Sequence, residues 1–303
     1  MVSDGASSDT SQSTNLSCWL KSNPGGISLA KEERAARDAA IFDHWLAGKT
    51  IWELAQKGNL SPSHVHDIIT AFGKSKLERA EWSETPPIYN VWNFSICDPR
   101  FGQKHPGQIP GQAILNLLLW LTEPFDFVVD PMAGGGPTID VCKYLLRRYR
   151  CFDIDPKRPD VEKWDIRNGY PPLPYKPKFI LLDPPYWRLK RDQYSQDGVA
   201  NLCYSNWLEF MAKLATDTYR TLKSGGTVAL FIQSFWDEWE TGEYIFANYD
   251  CFRLFLDAKF KPIMEISLNM PSQTKDFRDV IWAKKYRKLL SLKRDILVFR
   301  KPQ

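Results

Sequence analysis

Several common protein classes are excluded by what this chain lacks. Its six cysteines (Cys18, Cys97, Cys142, Cys151, Cys203 and Cys251) are scattered without a CxxC pair, and there are only four histidines. No zinc-ligand spacing results, so no metal is expected and the thiols read as reduced and structural. No apolar run reaches the ~18 residues a membrane span needs. The opening MVSDGASSDTSQSTN has neither the basic nor the apolar region of a signal peptide, which makes the cytoplasm the expected compartment and a membrane an unexpected partner. Internal repeats are absent. Charge of one sign is also scarce overall, with a net of only +4 among 303 residues. Its distribution says more, because Lys284 to Lys301 holds eight Lys or Arg and one acid, Asp295. Such clustering fits either a solvated face or one that meets phosphate.

What is present divides into an N-terminal helical part and a larger α/β part. Residues 1–27, rich in Ser, Thr, Gly and Asn, are expected to be a flexible tail, since they have too little apolar content to offset ordering entropy. Residues 28–81 read as three helices: one from Leu29 to a stop at Gly48, one from Thr50 broken at Gly58-Asn59, and one from Ser61 with Pro62 in its first turn. The last two resemble a helix-turn-helix, with Ala55, Leu60, Val65 and Ile68 at core positions and Asn59 where the turn favours a left-handed residue. The third helix would then present Ser63, His64, His66, Asp67 and Thr70 to a groove of double-stranded DNA, with Lys74, Lys76 and Arg79 near phosphates. The plainer reading is a helical hairpin that only packs. Residues 82–91 read as a linker.

From Ile88 onward strand and helix signals alternate. Strands are expected at 125–130, 148–154, 178–183, 226–233, 262–269 and 294–300, and helices at 111–122, 137–147, 206–223 and 238–258. That alternation predicts an α/β, Rossmann-like domain over 92–303, its mostly parallel sheet covered on both faces.

Two strand ends carry the chemistry. Phe127-Val128-Val129 runs into Asp130-Pro131-Met132-Ala133-Gly134-Gly135-Gly136, where Gly134 and Gly136 remove side chains from a backbone that must approach a ligand. An isolated GxG is a weak signal. The strand at 148–154 then ends in Asp153-Ile154-Asp155, and an acid there is suited to accept ribose hydroxyls, Asp153 being the better placed. Asp165 follows where a third strand end would meet an adenine amino group. The specific signal is Asp183-Pro184-Pro185-Tyr186 after Phe179-Ile180-Leu181-Leu182. Two prolines stiffen the corner. The Asp183 carboxylate and the Pro184 carbonyl can both accept from one amino group, and Tyr186 offers a face for an extruded base. Loop and corner together read as the two halves of a methyl-transfer site, one for S-adenosyl-L-methionine and one for the amino group. The loop 187–205, with Trp187, Arg188, Lys190, Arg191 and Tyr194, could hold a phosphate backbone or be a surface lid.

With these residues in view, the stretch from about Trp92 to Pro302 is similar to the amino-group DNA methyltransferases that act on adenine N6 or cytosine N4. His105-Pro106-Gly107-Gln108-Ile109-Pro110 resembles their HPTQKP cofactor segment, and Leu222-Lys223-Ser224-Gly225-Gly226 resembles their LKPGG. The resemblance implies a seven-stranded sheet with an antiparallel last strand. It also implies S-adenosyl-L-methionine held by the 105–110 segment (His105, Pro106 and Gln108), the loop at 130–136, Asp153 with Ile154, and Asp165. Ile109 and Gly135 depart from the usual Lys and Ser. Asp at 183 tilts the expectation to adenine N6. The alternatives are cytosine N4, an RNA enzyme acting on guanine N2, and a DNA-binding regulator that has lost activity.

Overall fold

The computed structural model describes residues 31–80, 84–103, 108–185, 202–237, 242–269 and 277–303. They fall into two compact units, one up to Ala80 and one from Glu81. The tail expected over 1–27 lies outside the described residues, as do His105, Pro106, Tyr186, Trp187, Arg188, Lys190 and Arg191.

Among its described residues the first unit has three helices, α1 (Lys31–Leu46), α2 (Ile51–Gly58) and α3 (Pro62–Glu78). Local chemistry sets their ends. Thr50 caps α2 through a reciprocal box with Glu53, and Ser61 caps α3 by accepting from the His64 amide, with Pro62 in the first turn. Asn59 takes the left-handed conformation between them (φ 49°). Phe42 of α1, Leu54 and Ala55 of α2, and Val65, Ile68 and Ile69 of α3 form the buried interior. Ser63, His64, His66, Asp67, Thr70, Lys74 and Lys76 all remain exposed on α3.

The second unit is built on one sheet. Its strands are β1 (Val91–Asn93), β2 (Phe127–Asp130), β3 (Arg148–Asp153), β4 (Glu162–Lys163), β5 (Phe179–Leu182), β6 (Thr227–Ile232), β9 (Lys261–Asn269) and β10 (Lys293–Arg300), while β7 (Phe235–Trp236) and β8 (Tyr244–Ile245) form a separate hairpin. The helices are α4 (Gly111–Leu121), α5 (Pro137–Tyr144), α6 (Tyr204–Thr221), α7 (Ala247–Asp257) and α8 (Phe277–Tyr286). The sheet order is β1-β9-β10-β6-β5-β2-β3-β4. Only β10 runs against its neighbours. Every residue of β2, β5 and β6 is buried, as expected of parallel strands covered on both faces.

Four expectations change. Among the described residues the sheet has eight strands rather than seven, because the short edge strands β1 and β4 are defined by pairing and not by an apolar run of their own. The helix expected at 238–258 is the β7–β8 hairpin followed by α7, since Phe235-Trp236 and Tyr244-Ile245 pair with each other before the helix begins. The linker expected over 82–91 ends inside the sheet, where Asn90 accepts from the Ser267 amide and Val91 opens β1. Finally, α5 ends at Tyr144 and not 147.

The order of the strands places the site. From β2 the chain steps outward through β3 to β4, then returns to β5 on the other side of β2. Asp130 and Asp183 therefore follow adjacent parallel strands at the point where the winding reverses, the crevice where open α/β sheets bind ligands.

Candidate active site

Asp130, the last residue of β2, is 2% exposed. One carboxylate oxygen accepts from the Met132 amide at 3.0 Å and the other from the Thr138 hydroxyl at 2.6 Å. These bonds fold the glycine loop back onto α5. Burial pushes the Asp130 carboxyl up to about 7, and the nearby charges of Asp183 and Asp153 add to the rise. Three carboxylates thus converge at neighbouring strand ends.

The loop itself is tethered on every side. Gly134 (φ 50°) donates its amide to Asp153 at 2.9 Å, and Asp153 accepts the Asp155 amide with its other oxygen. Ala133 donates to the Phe152 carbonyl at 2.8 Å. Gly136 (φ 75°) opens α5, and a Cβ there would meet the Arg158 guanidinium at 2.9 Å. Arg158 in turn binds Asp140 at 2.7 Å and Asp160 at 2.8 Å. Asp140 also accepts the Gly102 amide at 2.7 Å, and Gln103 donates to Gly135. Gln108 is buried and donates to the Phe101 carbonyl at 3.2 Å, which ties the segment ahead of α4 to the same loop.

The Asp183 corner continues β5. Pro184 is buried, and the Pro185 carbonyl accepts the indole N–H of Trp207 at 3.3 Å. Trp207 is fully buried and stacks on Tyr204 at 5.7 Å, so α6 anchors the corner. Arg294, near the start of β10, brings a guanidinium nitrogen within 3.9 Å of the Asp183 carboxylate.

A small cavity joins the two halves, lined by Ile109, Asp130, Met132, Gly134, Thr138 and Asp183 among others. Pro131 and Ala133 are buried in its loop, while Ile154 is 42% exposed beside Asp153. Asp165 is not among the cavity residues. It accepts the Arg167 amide and pairs with the Arg167 guanidinium, which holds its carboxyl below the usual range. Thr138, Arg158, Trp207 and Arg294 were not singled out by sequence. Thr138 lies two residues beyond the glycine-loop motif, while Arg158, Trp207 and Arg294 each have a partner at least 18 residues away in the chain and carry no local signal. Among the described residues no group of three or more His, Cys, Asp or Glu is placed to hold a metal, and no helix is long and apolar enough to cross a membrane.

Residues 40–161 match a family model described as DNA methylase, a span that takes in the glycine loop and stops before Asp183. The Type II methyltransferase M.BglII of Bacillus subtilis is 31% identical over 99 residues, 29% of this chain and 28% of that protein. The Type II methyltransferase M.HinfI of Haemophilus influenzae is 24% identical over 149 residues, 43% of this chain and 42% of that protein. The chain thus spans less than half the length of either relative. A solved methyltransferase from Pyrococcus furiosus overlaps 66% of this chain and 88% of its own at 15% identity and a TM-score of 0.40, which adds nothing to the topology read from the strand pairs. The chain is therefore similar to DNA methylases over these matched spans, each of which makes up less than half of it.

Proposed function

We infer that the chain methylates an exocyclic amino group of a base extruded from double-stranded DNA, with adenine N6 as the leading target. One observation carries this reading: a single cavity is lined both by the glycine-loop residues Asp130 and Gly134 and by Asp183 of the Asp-Pro-Pro-Tyr corner. The cofactor is S-adenosyl-L-methionine, and the donor set fits it. The two carboxylates that line the cavity, Asp130 and Asp183, suit a sulfonium and an ammonium group, and the apolar side chains of Ile109 and Met132 suit the uncharged parts. Gly134 would lie against it, with Gln108 and Asp153 holding the surrounding backbone in place. When bound, it supplies an electrophilic methyl group.

The chain's own residues do the rest by positioning and electrostatics. The Asp183 carboxylate and the Pro184 carbonyl accept from the target amino group. That raises electron density on nitrogen and turns its lone pair away from the corner. Pro184, Pro185 and the Trp207 bond keep these acceptors from relaxing. Tyr186 stacks on the base, and Trp187, Arg188, Lys190 and Arg191 meet the strand it left. On this reading α2 and α3 form a helix-turn-helix, and Ser63, His64 and His66 of α3 face the duplex while Lys74 and Lys76 reach phosphates.

Expression in a host without its own methylases, followed by nucleoside analysis, tests the reading. N6-methyladenine in DNA is expected. N4-methylcytosine would shift the target base, N2-methylguanine in RNA would replace the substrate, and no modified base in either would favour a binding protein without activity.

A further inference from the structure

Residues 277–293 hold six Lys or Arg (Arg278, Lys284, Lys285, Arg287, Lys288 and Lys293) against one acid, Asp279. Their net charge of +5 exceeds the +4 of the whole chain, so everything else sums to −1. Yet α8 within this segment has no buried residue. Phe277 is 75% exposed, and Ile281 and Tyr286 are about half exposed. A helix of this length is marginal alone in water, so contacts outside its own backbone must hold it.

One such brace is visible. The Lys288 ammonium lies 4.1 Å from the Trp236 ring centre and 5.2 Å from that of Trp282, and it donates to the Gly242 carbonyl at 2.7 Å. The Trp236 indole donates to the Leu289 carbonyl at 3.2 Å. These bonds pin the segment to the β7–β8 hairpin and leave Lys284, Lys285 and Arg287 outward.

Topology decides where this surface lies. The hairpin follows the C-terminal end of β6, which parallels β5. The basic segment joins β9 to β10, and Lys293 is paired with Asn269 while Asp295 is opposite Ile232. Hairpin, basic segment and the Asp183 corner therefore leave the same end of the sheet's strands, and the Arg294–Asp183 approach of 3.9 Å fixes their adjacency.

We propose that residues 277–293, braced on the β7–β8 hairpin, hold the phosphate backbone of duplex DNA and deliver it to the Asp183 corner. This rests on the DNA-methylation reading and adds to it the surface that grips the substrate. Exposed Lys and Arg neutralise phosphates and release counterions, and the exposed aromatic side chains lend flat contact area beside them.

The test is fluorescence anisotropy on a labelled duplex across a salt series, with the full chain and with Lys284→Gln, Lys285→Gln and Arg287→Gln combined. Each lost phosphate contact lowers the slope of log affinity against log salt by about 0.9, so the triple variant should lose roughly 2 to 3 from the wild-type slope. Lys285→Gln alone should lose about 0.9. Cofactor affinity by calorimetry should not move. If the wild type methylates duplex DNA while both variants keep its slope and affinity, this surface is wrong and the methylation reading stands. If the wild type binds no duplex, or binds single-stranded RNA of equal length more tightly, both fall. Concentration-dependent dimerisation lost in the triple variant with DNA affinity unchanged would assign the surface to a second copy and overturn the proposal.

Discussion

Asp183 and Asp130 are both strand-end carboxylates, and their surroundings give them different work. Asp183 is partly open and faces the cavity beside Arg294, while Asp130 is almost fully buried, borders the same cavity and folds the loop. Replacing Asp183 with Ala should remove one acceptor for the amino group, worth roughly 3 kcal/mol in the transition state, and slow methyl transfer on the order of a hundredfold. Cofactor affinity should change far less, which calorimetry can check. Asp130 makes a pH prediction. Its carboxyl is held at about 7 in the folded chain against an ordinary 3.8. The folded chain therefore keeps a proton that the unfolded chain has released, and stability falls as pH rises through that interval. Melting temperatures measured across it should fall, and Asp130→Asn should flatten the trend. A bound cation favours the ionised carboxylate, so wild-type cofactor affinity should rise as pH increases through about 7, with proton release visible in buffers of different ionisation enthalpy. Affinity independent of pH would remove Asp130 from the cofactor's surroundings.

At the scale of elements, legibility followed the source of each element's order. The strands β2, β5 and β6 are apolar runs buried on both faces, and their ends could be read to within a residue or two because the apolar stretch is itself the cause. The helix starts after Thr50 and Ser61 were equally legible, since the cap is local chemistry. The short strands β1 and β4 were not, because only their partners make them strands. The β7–β8 hairpin was hidden in the composition of the helix that follows. The loop and the Asp183 corner were visible as strand ends, but the buttress of Arg158, Asp140 and Asp160 behind the loop depends on packing that no short window contains. The glycine loop offers a check at this scale. A Leu at Gly134, which has a positive φ and borders the cavity, should abolish cofactor binding in calorimetry while far-ultraviolet circular dichroism keeps its native shape. Unchanged binding would place the cofactor elsewhere.

For the whole molecule, the described contacts divide between Ala80 and Glu81, and every residue of the cavity belongs to the larger unit. Deleting residues 1–80 should therefore leave a cooperative thermal transition and wild-type cofactor affinity, with DNA binding weakened or less selective. If the truncated chain modifies the same sites as efficiently, α2 and α3 serve packing alone and the duplex is read elsewhere.

The central claim is that glycine loop and Asp183 corner form one methyl-transfer site. Its most direct test is transfer of a radiolabelled methyl group from S-adenosyl-L-methionine to duplex DNA by the purified chain and by Asp183→Ala. Acid-stable label is expected in the DNA with the wild type and about a hundredfold less with the variant, at similar cofactor affinity. Equal labelling by both proteins, or cofactor binding with no transfer to any duplex offered, would contradict it.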